Sequence, residues 1–381
     1  MRVDVLSLRP SASSLALLGL VLAVFSLSGV NALTITKAEN LSIKESDSGF
    51  LVSIRDPVFP ENFSSYHLVP RSEIPTVIER SSQNETTIPF PAERIVSLST
   101  TYLGPLNELD SLDRVVAVDD ASYAFTENLR KAVGAGEIVE VGGTGVTGLE
   151  SIIAANPDLV LLTRINPEDN HLEKQLKSAG IPVIITSAWT EPNPLGRAEW
   201  IKLFGILTDR ISQADQIYAE VSEEYDALQK RVRSENRERP KVLLSAPFGG
   251  VWHIPGNKGF TAKLLDDAGA DYLGTKVDRT GSIPIGLESA LQLGFSADFW
   301  LDPGQFESLA SLSQADPRFR LLPPLESGEV YNRTKRVAEN GGNDFWESGI
   351  IYPNKVLADL IHIFHPEILP DHEFFYYEKL E

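Results

Sequence analysis

A four-residue phrase that occurs twice constrains this chain more than any other feature. Gly148-Leu149-Glu150-Ser151 leads into IIAANPDLVLL, and Gly286-Leu287-Glu288-Ser289 leads into ALQLGFSADFWL. In each copy a glutamate opens a short amphipathic helix, a turn follows (Asn156-Pro157-Asp158, or Gly294 to Asp298), and an apolar run reads as a buried strand. Upstream lies a second matched pair, Arg94-IVSLS and Lys241-VLLSA, each an apolar strand before a loop rich in polar and aromatic residues. The glutamates are 138 positions apart and the strands 147. Offsets this close predict one α/β unit used twice, once per lobe, with a matching acidic residue on each. Such a molecule suits a partner with two-fold symmetry.

The chain has 381 residues, enough for two domains with real cores. Residues 1–32 read as a secretory signal peptide. Arg2 and Arg9 flank a polar start, Leu15 to Leu27 is almost wholly apolar, and Val30-Asn31-Ala32 forms a V-x-A cleavage site. The apolar run is too short for a stable anchor, and no other run approaches spanning length. The mature protein is therefore expected to be soluble after cleavage near Ala32. The chain contains no cysteine, which excludes a disulfide framework and leaves no residue for bacterial N-terminal lipidation. An unanchored exported protein is retained only where an outer membrane confines it, so the expected compartment is the periplasm. Met1 is the only methionine, and oxidation avoidance and sulfur economy fit that scarcity equally. The formal net charge of −19 argues against nucleic acid and anionic membranes as partners, and is compatible with docking on a basic protein surface.

The expected fold class is α/β: two lobes with parallel-rich sheets joined by one long crossover helix, plus a small N-terminal β prelude. Residues 33–90 read as that prelude, a short hairpin built from Phe50-Leu51-Val52-Ser53-Ile54 and Tyr66-His67-Leu68-Val69-Pro70. Residues 91–208 alternate strand and helix signals (RIVSLS, YLGPLNEL, RVVAVD, EIVEV, LESIIAA, DLVLLT, HLEKQLKSAG, PVIIT), the pattern of a parallel sheet covered on both faces. Residues 239–381 repeat it with KVLLSA, TAKLLDDAG, LESALQL, DFWLD, VYN and a final helix KVLADLIHIF. Between them, in 209–238, Ile211, Ala214, Ile217, Tyr218, Val221, Tyr225, Leu228 and Val232 recur at three- and four-residue spacing. They predict a helix from Asp209 to Arg233, ended by the charged RSENRERP.

With these segments placed, the chain resembles the helical-backbone (class III) periplasmic substrate-binding proteins of ABC importers, which carry ferric siderophores, cobalamin and haem. The matching segments are GLESIIAANPDLVLL, KSAGIPVII, AEWIKLFGIL, KLLDDAGADYL, GLESALQLGFSADFWL, DPRFRLLPPLESGEVYN and NDFWESGIIYPNKVLADLIHIFHPEIL, in the family's order from about residue 92 to 370. The resemblance implies a receptor that performs no chemistry, needs no cofactor, and delivers an iron chelate or corrinoid to an ABC permease dimer as a monomer. It also implies that Glu150 and Glu288 dock on arginines of the two permease subunits. Helix dipoles offer a plainer reason for acidic residues at helix starts, worth about 0.3–1 kcal/mol.

Ligand contacts in an α/β lobe come from loops at the carboxyl ends of strands. In the first lobe those loops carry Tyr102, Tyr123, Thr144, Arg164 and Trp189. In the second they carry Phe248, Trp252, Arg333, Phe345 and Trp346. Aromatic side chains in such loops suit a large flat or greasy ligand, and Arg164 or Arg333 suits an anionic chelate. Trp189 and Trp252 end strands in opposite lobes and are the leading candidates; Trp200 and Trp300 read as core.

Two rival functions follow from other motifs. Gly143-Thr144-Gly145-Val146-Thr147-Gly148 fits G-x-G-x-x-G between a strand and a helix, the context of a dinucleotide-dependent oxidoreductase. Its helix is short, the next strand ends in Thr163-Arg164 without an acid for a ribose, and an exported protein meets little dinucleotide. His362, His365 and His372 raise capture of a bare metal ion, but Pro366 stops their helix, and only His253 lies near a predicted cleft loop. Hydrolase motifs G-x-S-x-G and H-E-x-x-H are absent.

Overall fold

The computed structural model describes residues 33–74, 86–142, 146–166, 170–274, 277–304 and 306–381. Two five-stranded sheets form its centre. The first contains β5 (Ile95–Ser97), β6 (Val115–Val118), β7 (Val139–Glu140), β8 (Leu159–Thr163) and β9 (Val183–Thr186), all parallel, in the order β7-β6-β5-β8-β9. The second contains β10 (Lys241–Leu244), β13 (Asp271–Tyr272), β15 (Phe299–Leu301), β16 (Val330–Asn332) and β17 (Glu378–Lys379), in the order β13-β10-β15-β16-β17. Only β17 runs antiparallel. The orders β6-β5-β8-β9 and β13-β10-β15-β16 superpose, so the internal repeat is a repeat of topology.

The correspondence extends to single hydrogen bonds. The Asp158 carboxylate accepts the Arg94 N–H at 3.0 Å, and the Asp158 N–H donates to the Arg94 carbonyl at 2.9 Å. In the other lobe Asp298 treats Lys241 identically, at 2.7 and 2.8 Å. Each aspartate, directly before β8 or β15, thereby fixes the register of that strand against the central β5 or β10. The apolar runs form these strands because both faces of each sheet are covered, so every position of β8 from Leu159 to Leu162 is buried.

The helices that join the strands include α1 (Leu103–Glu108), α2 (Val146–Ala154), α3 (Pro194–Ala198), α4 (Ile211–Glu235), α5 (Phe260–Asp267), α6 (Leu287–Gly294) and α7 (Pro353–Phe364). Helix α4 is the predicted rod. Its 25 residues rise about 37 Å at 1.5 Å each. Ala214 and Tyr218 join the core of the first lobe, while Val221, Tyr225 and Val232 join that of the second. It starts at Ile211 and not Asp209, because Asp209 takes a left-handed conformation (φ 59°) that closes the preceding helix Ile201–Thr208. The N-terminus of α2 also differs from expectation. It starts at Val146, which puts Glu150 at its fifth position, whereas Glu288 lies in the first turn of α6.

The N-terminal prelude is larger than a hairpin. Strands β1 (Leu41–Ser46), β2 (Gly49–Arg55), β3 (Phe63–Pro70) and β4 (Thr86–Phe90) form one sheet in sequence order, with β2 and β3 as the expected antiparallel pair and β4 parallel to β3. Two fully buried glutamates of the first lobe tie its leading segment down. Glu199 accepts the N–H groups of Thr36, Lys37 and Ala38, and Glu191 accepts those of Glu39 and Asn40 and the indole N–H of Trp200. Glu199→Ala would leave three backbone N–H groups and the Thr36 hydroxyl without this acceptor. We expect a stability loss of about 2–3 kcal/mol and early hydrogen exchange confined to the amides of residues 36–38. Unchanged protection at those amides would contradict the clamp.

A third sheet explains one misplaced residue. Strands β11 (Pro247–Phe248), β12 (Val251–Pro255) and β14 (Ser282–Ile285) form an antiparallel unit. Gly249 and Gly250, at φ 58° and 82°, make the two-residue turn between β11 and β12. Trp252 thus lies within a strand and points into the core, with 0% of its surface exposed. It stacks on Trp300 at 5.8 Å, meets the Phe319 ring edge-on, and donates its indole N–H to the Leu244 carbonyl.

Candidate functional site

The lobes meet through the loops that follow β6 and β16. The Glu347 carboxylate, buried in the second lobe, accepts the backbone N–H groups of Phe125 and Thr126 and the Thr126 hydroxyl. The Asn340 amide donates to the carbonyls of Ser122 (2.8 Å) and Ala124 (3.0 Å). Tyr352 donates to Glu108 at the end of α1. Gly104 packs so closely that a Cβ there would fall on the Glu347 carbonyl. Beside this seam lies a cavity of about 360 Å³ walled by both lobes, with Glu108, Phe125, Arg336, Glu347, Tyr352 and Lys355 in its lining.

The seam yields two predictions. Gly104→Ala forces the two backbones apart, so we expect a cost of about 1–3 kcal/mol and a measurable increase in radius of gyration by X-ray scattering. A mutant with wild-type stability and scattering would show that the contact is not tight. Burial raises the pKa of Glu347, against the lowering effect of the Thr126 and Phe125 hydrogen bonds. The folded protein therefore holds that proton more tightly than the unfolded chain. The associated stability is fully present below the ordinary glutamate pKa and is lost as pH rises through the raised folded value. Wild type should lose stability relative to Glu347→Gln across that window, with a constant difference on either side. A parallel pair of stability–pH curves would refute it.

The expected ligand contacts divide into three groups. Tyr123, Phe248 and Trp346 stand on loops or a hairpin beyond strand ends and are 68%, 76% and 42% exposed. Arg333, after β16, lies over the rings of Phe345 (4.1 Å) and Trp346 (5.0 Å) and pairs with Asp302 at 2.7 Å. Trp189, after β9, is partly buried and walls a small cavity at the strand ends. None of these five is fully buried.

A second group is committed to the fold and corrects the expectation. Trp252 is core, on the inward face of β12. Phe345 is buried edge-on against Tyr376. Tyr102 is buried, and its hydroxyl is taken by Thr163 and Thr186. Arg164 is buried between two carboxylates, Glu173 and Asp56. Asp56 comes from the β2–β3 connection, 108 residues earlier in sequence, so no local signal announces that this arginine is already neutralised. Thr144 lies outside the described residues, as do Gly143 and Gly145 of the glycine motif.

The histidines near the C-terminus are likewise engaged: His362 with the Leu369 carbonyl, His365 with that of Gly269, and His372 with Asp359. Trp200 and Trp300 are buried. Glu150 and Glu288 are both exposed, on helices that lead into the corresponding strands β8 and β15. Sequence reasoning missed Glu347, Asn340 and Arg197. Glu347 follows the aromatic pair Phe345-Trp346 and looks like an ordinary surface acid.

Comparison with known proteins gives the family. Residues 95–331 match the family model described as periplasmic binding protein. An uncharacterized lipoprotein of Methanocaldococcus jannaschii is 23% identical over 298 residues, covering 76% of this chain and 69% of that one. A periplasmic heme binding protein from Pseudomonas aeruginosa superposes with a TM-score of 0.56 at 17% identity, over 76% of this chain and 98% of that one. An ABC-type Fe3+-hydroxamate transport system structure from Saccharomonospora viridis does so with a TM-score of 0.53 at 22% identity, over 73% and 93%. Identities this low establish a shared fold. Among the described residues no helix is long and apolar enough to cross a membrane.

Proposed function

Because the chain belongs to the periplasmic binding protein family, we propose that it is the solute-binding receptor of an ABC importer, capturing a ferric siderophore or related large chelate outside the cytoplasmic membrane. One observation carries the reading of the ligand: Tyr123, Phe248 and Trp346 are held in solvent beyond the ends of strands in both lobes. Isolated exposed aromatics are ordinary, but a set of them near strand ends in both lobes supports burial against a ligand with broad apolar faces. Arg333, stacked on Trp346 and paired with Asp302, keeps further guanidinium N–H donors for an anionic chelate. The receptor supplies shape and charge, and the importer's other subunits supply the energy. The related haem and iron-hydroxamate proteins support the same class of cargo.

The mature protein should be titrated with a ferric hydroxamate, a ferric catecholate, haem and cobalamin, following tryptophan fluorescence and visible absorption. We expect a ferric siderophore to bind with micromolar or better affinity, and Trp346→Ala to weaken it about 5- to 150-fold, as for a buried aromatic anchor. Binding of haem or cobalamin alone would replace the siderophore by that cargo. Binding of none would remove the receptor reading.

A further inference from the structure

Arg197, in α3, is a buried cation that enters no ion pair among the described residues. Only 7% of its surface is exposed. Among the described residues its buried Nε has no hydrogen-bond partner and its guanidinium enters no ion pair. What faces it is the ring of Phe260, at the start of α5 in the opposite lobe, 4.4 Å away. An unpaired buried charge is among the costliest features a fold carries, so a retained one calls for a complement. Burial, and secondly the positive charge of Arg333, lower its pKa to about 10, which still leaves it fully charged at neutral pH.

The surroundings define that complement. Arg197 and Trp189 line one cavity of about 30 Å³, set at the carboxyl ends of β8 and β9 and closed from the second lobe by Ile350 and Ile351. The Trp189 indole Nε1 is also buried, with no acceptor among the described residues. The hydroxyl groups beside them, on Tyr102, Thr163 and Thr186, are bonded to each other. Two donors are therefore free, one of them charged, and they share a space the size of one small group. Arginine's planar fork matches a carboxylate better than any other common anionic group of that size.

We propose that Arg197 and Trp189 form a carboxylate subsite in which one free carboxylate of the captured solute accepts hydrogen bonds from the guanidinium and the indole N–H. The proposal rests on the solute-receptor reading, and it narrows the cargo to acidic chelates with at least one carboxylate not used by the metal. It also gives the solute a contact at the lobe junction, since the same guanidinium packs on Phe260 of the second lobe.

Acetate is the probe, because it tests the subsite without requiring the cargo. Thermal unfolding of the mature protein is followed at neutral pH against sodium acetate and against sodium chloride at equal ionic strength. The wild-type midpoint should climb with acetate above the chloride curve, as for any ligand that binds only the folded state. Arg197→Leu should abolish the difference, and Trp189→Phe, which removes only the N–H donor, should weaken apparent acetate affinity about tenfold. Trp189→Phe keeps the test decisive if Arg197→Leu does not fold. Coincident acetate and chloride curves in wild type, or an undiminished acetate response in both variants, would overturn the subsite. A chelate whose carboxyl ester binds as tightly as the free acid would also overturn it, while leaving the receptor reading intact. An acetate response in a protein that binds no chelate would sink the receptor reading and leave the carboxylate site standing.

Discussion

Replacing Glu150 and Glu288 together with alanine is expected to abolish uptake in cells while leaving solute affinity in vitro unchanged. Both side chains are exposed and end in solvent, and neither α2 nor α6 needs its glutamate for packing. They lie on matching helices of a duplicated unit, those that precede β8 and β15, the strands pinned by Asp158 and Asp298. A two-lobed receptor meeting a pseudo-two-fold permease would use this pair, one glutamate per subunit. If each pairs with an arginine at about 2 kcal/mol, losing both costs about 4 kcal/mol, close to a thousandfold in docking affinity. Reversal to lysine should be worse, because like charges then face each other. Stability should barely change: Glu288, in a first helical turn, contributes about 0.3–1 kcal/mol through the dipole, and Glu150 less. Normal uptake by the double mutant would sink the assignment, and loss of solute affinity would mean that these residues belong to the ligand site.

What the sequence discloses here is what local pattern can encode. The duplicated phrase, the apolar runs and the spacing along α4 each depend on neighbours within a few residues, and each element formed. Helix ends moved by two residues where one backbone conformation decided, as at Asp209 with φ 59°. The site was less legible because its residues are defined by partners far away in sequence. Arg164 looked free until Asp56 folded over it, and Glu347 looked like surface until it met Phe125 and Thr126. Arg197 gave no signal, since the apolar and small residues around it make a buried helix turn and nothing marks the charge as unpaired. Trp252 was a different failure. Val251-Trp252-His253-Ile254 alternates with period two after a Gly-Gly turn, the signature of a hairpin strand with Trp252 and Ile254 inward. That signal was present and pointed to the core.

Trp252→Ala is accordingly expected to damage folding and leave recognition alone. The indole is fully buried, stacked on Trp300, edge-on to Phe319, and hydrogen-bonded to the Leu244 carbonyl. Truncation removes that apolar area, opens a cavity beside two aromatic rings and leaves an acceptor unpaired. Losses of about 3–5 kcal/mol are the usual result at such a site, a large share of a domain's net stability. Trp346 provides the contrast, because its ring is exposed and rests on Arg333 and Phe345 at the surface, so its loss should scarcely change the melting temperature. The two substitutions should therefore separate cleanly: Trp252→Ala melts many degrees lower but binds solute with wild-type affinity while folded, and Trp346→Ala melts normally but binds weakly. Paired measurements of melting temperature and affinity decide it. A Trp252→Ala protein that stays stable and loses affinity would place that indole in the ligand's path and require β12 to open on binding.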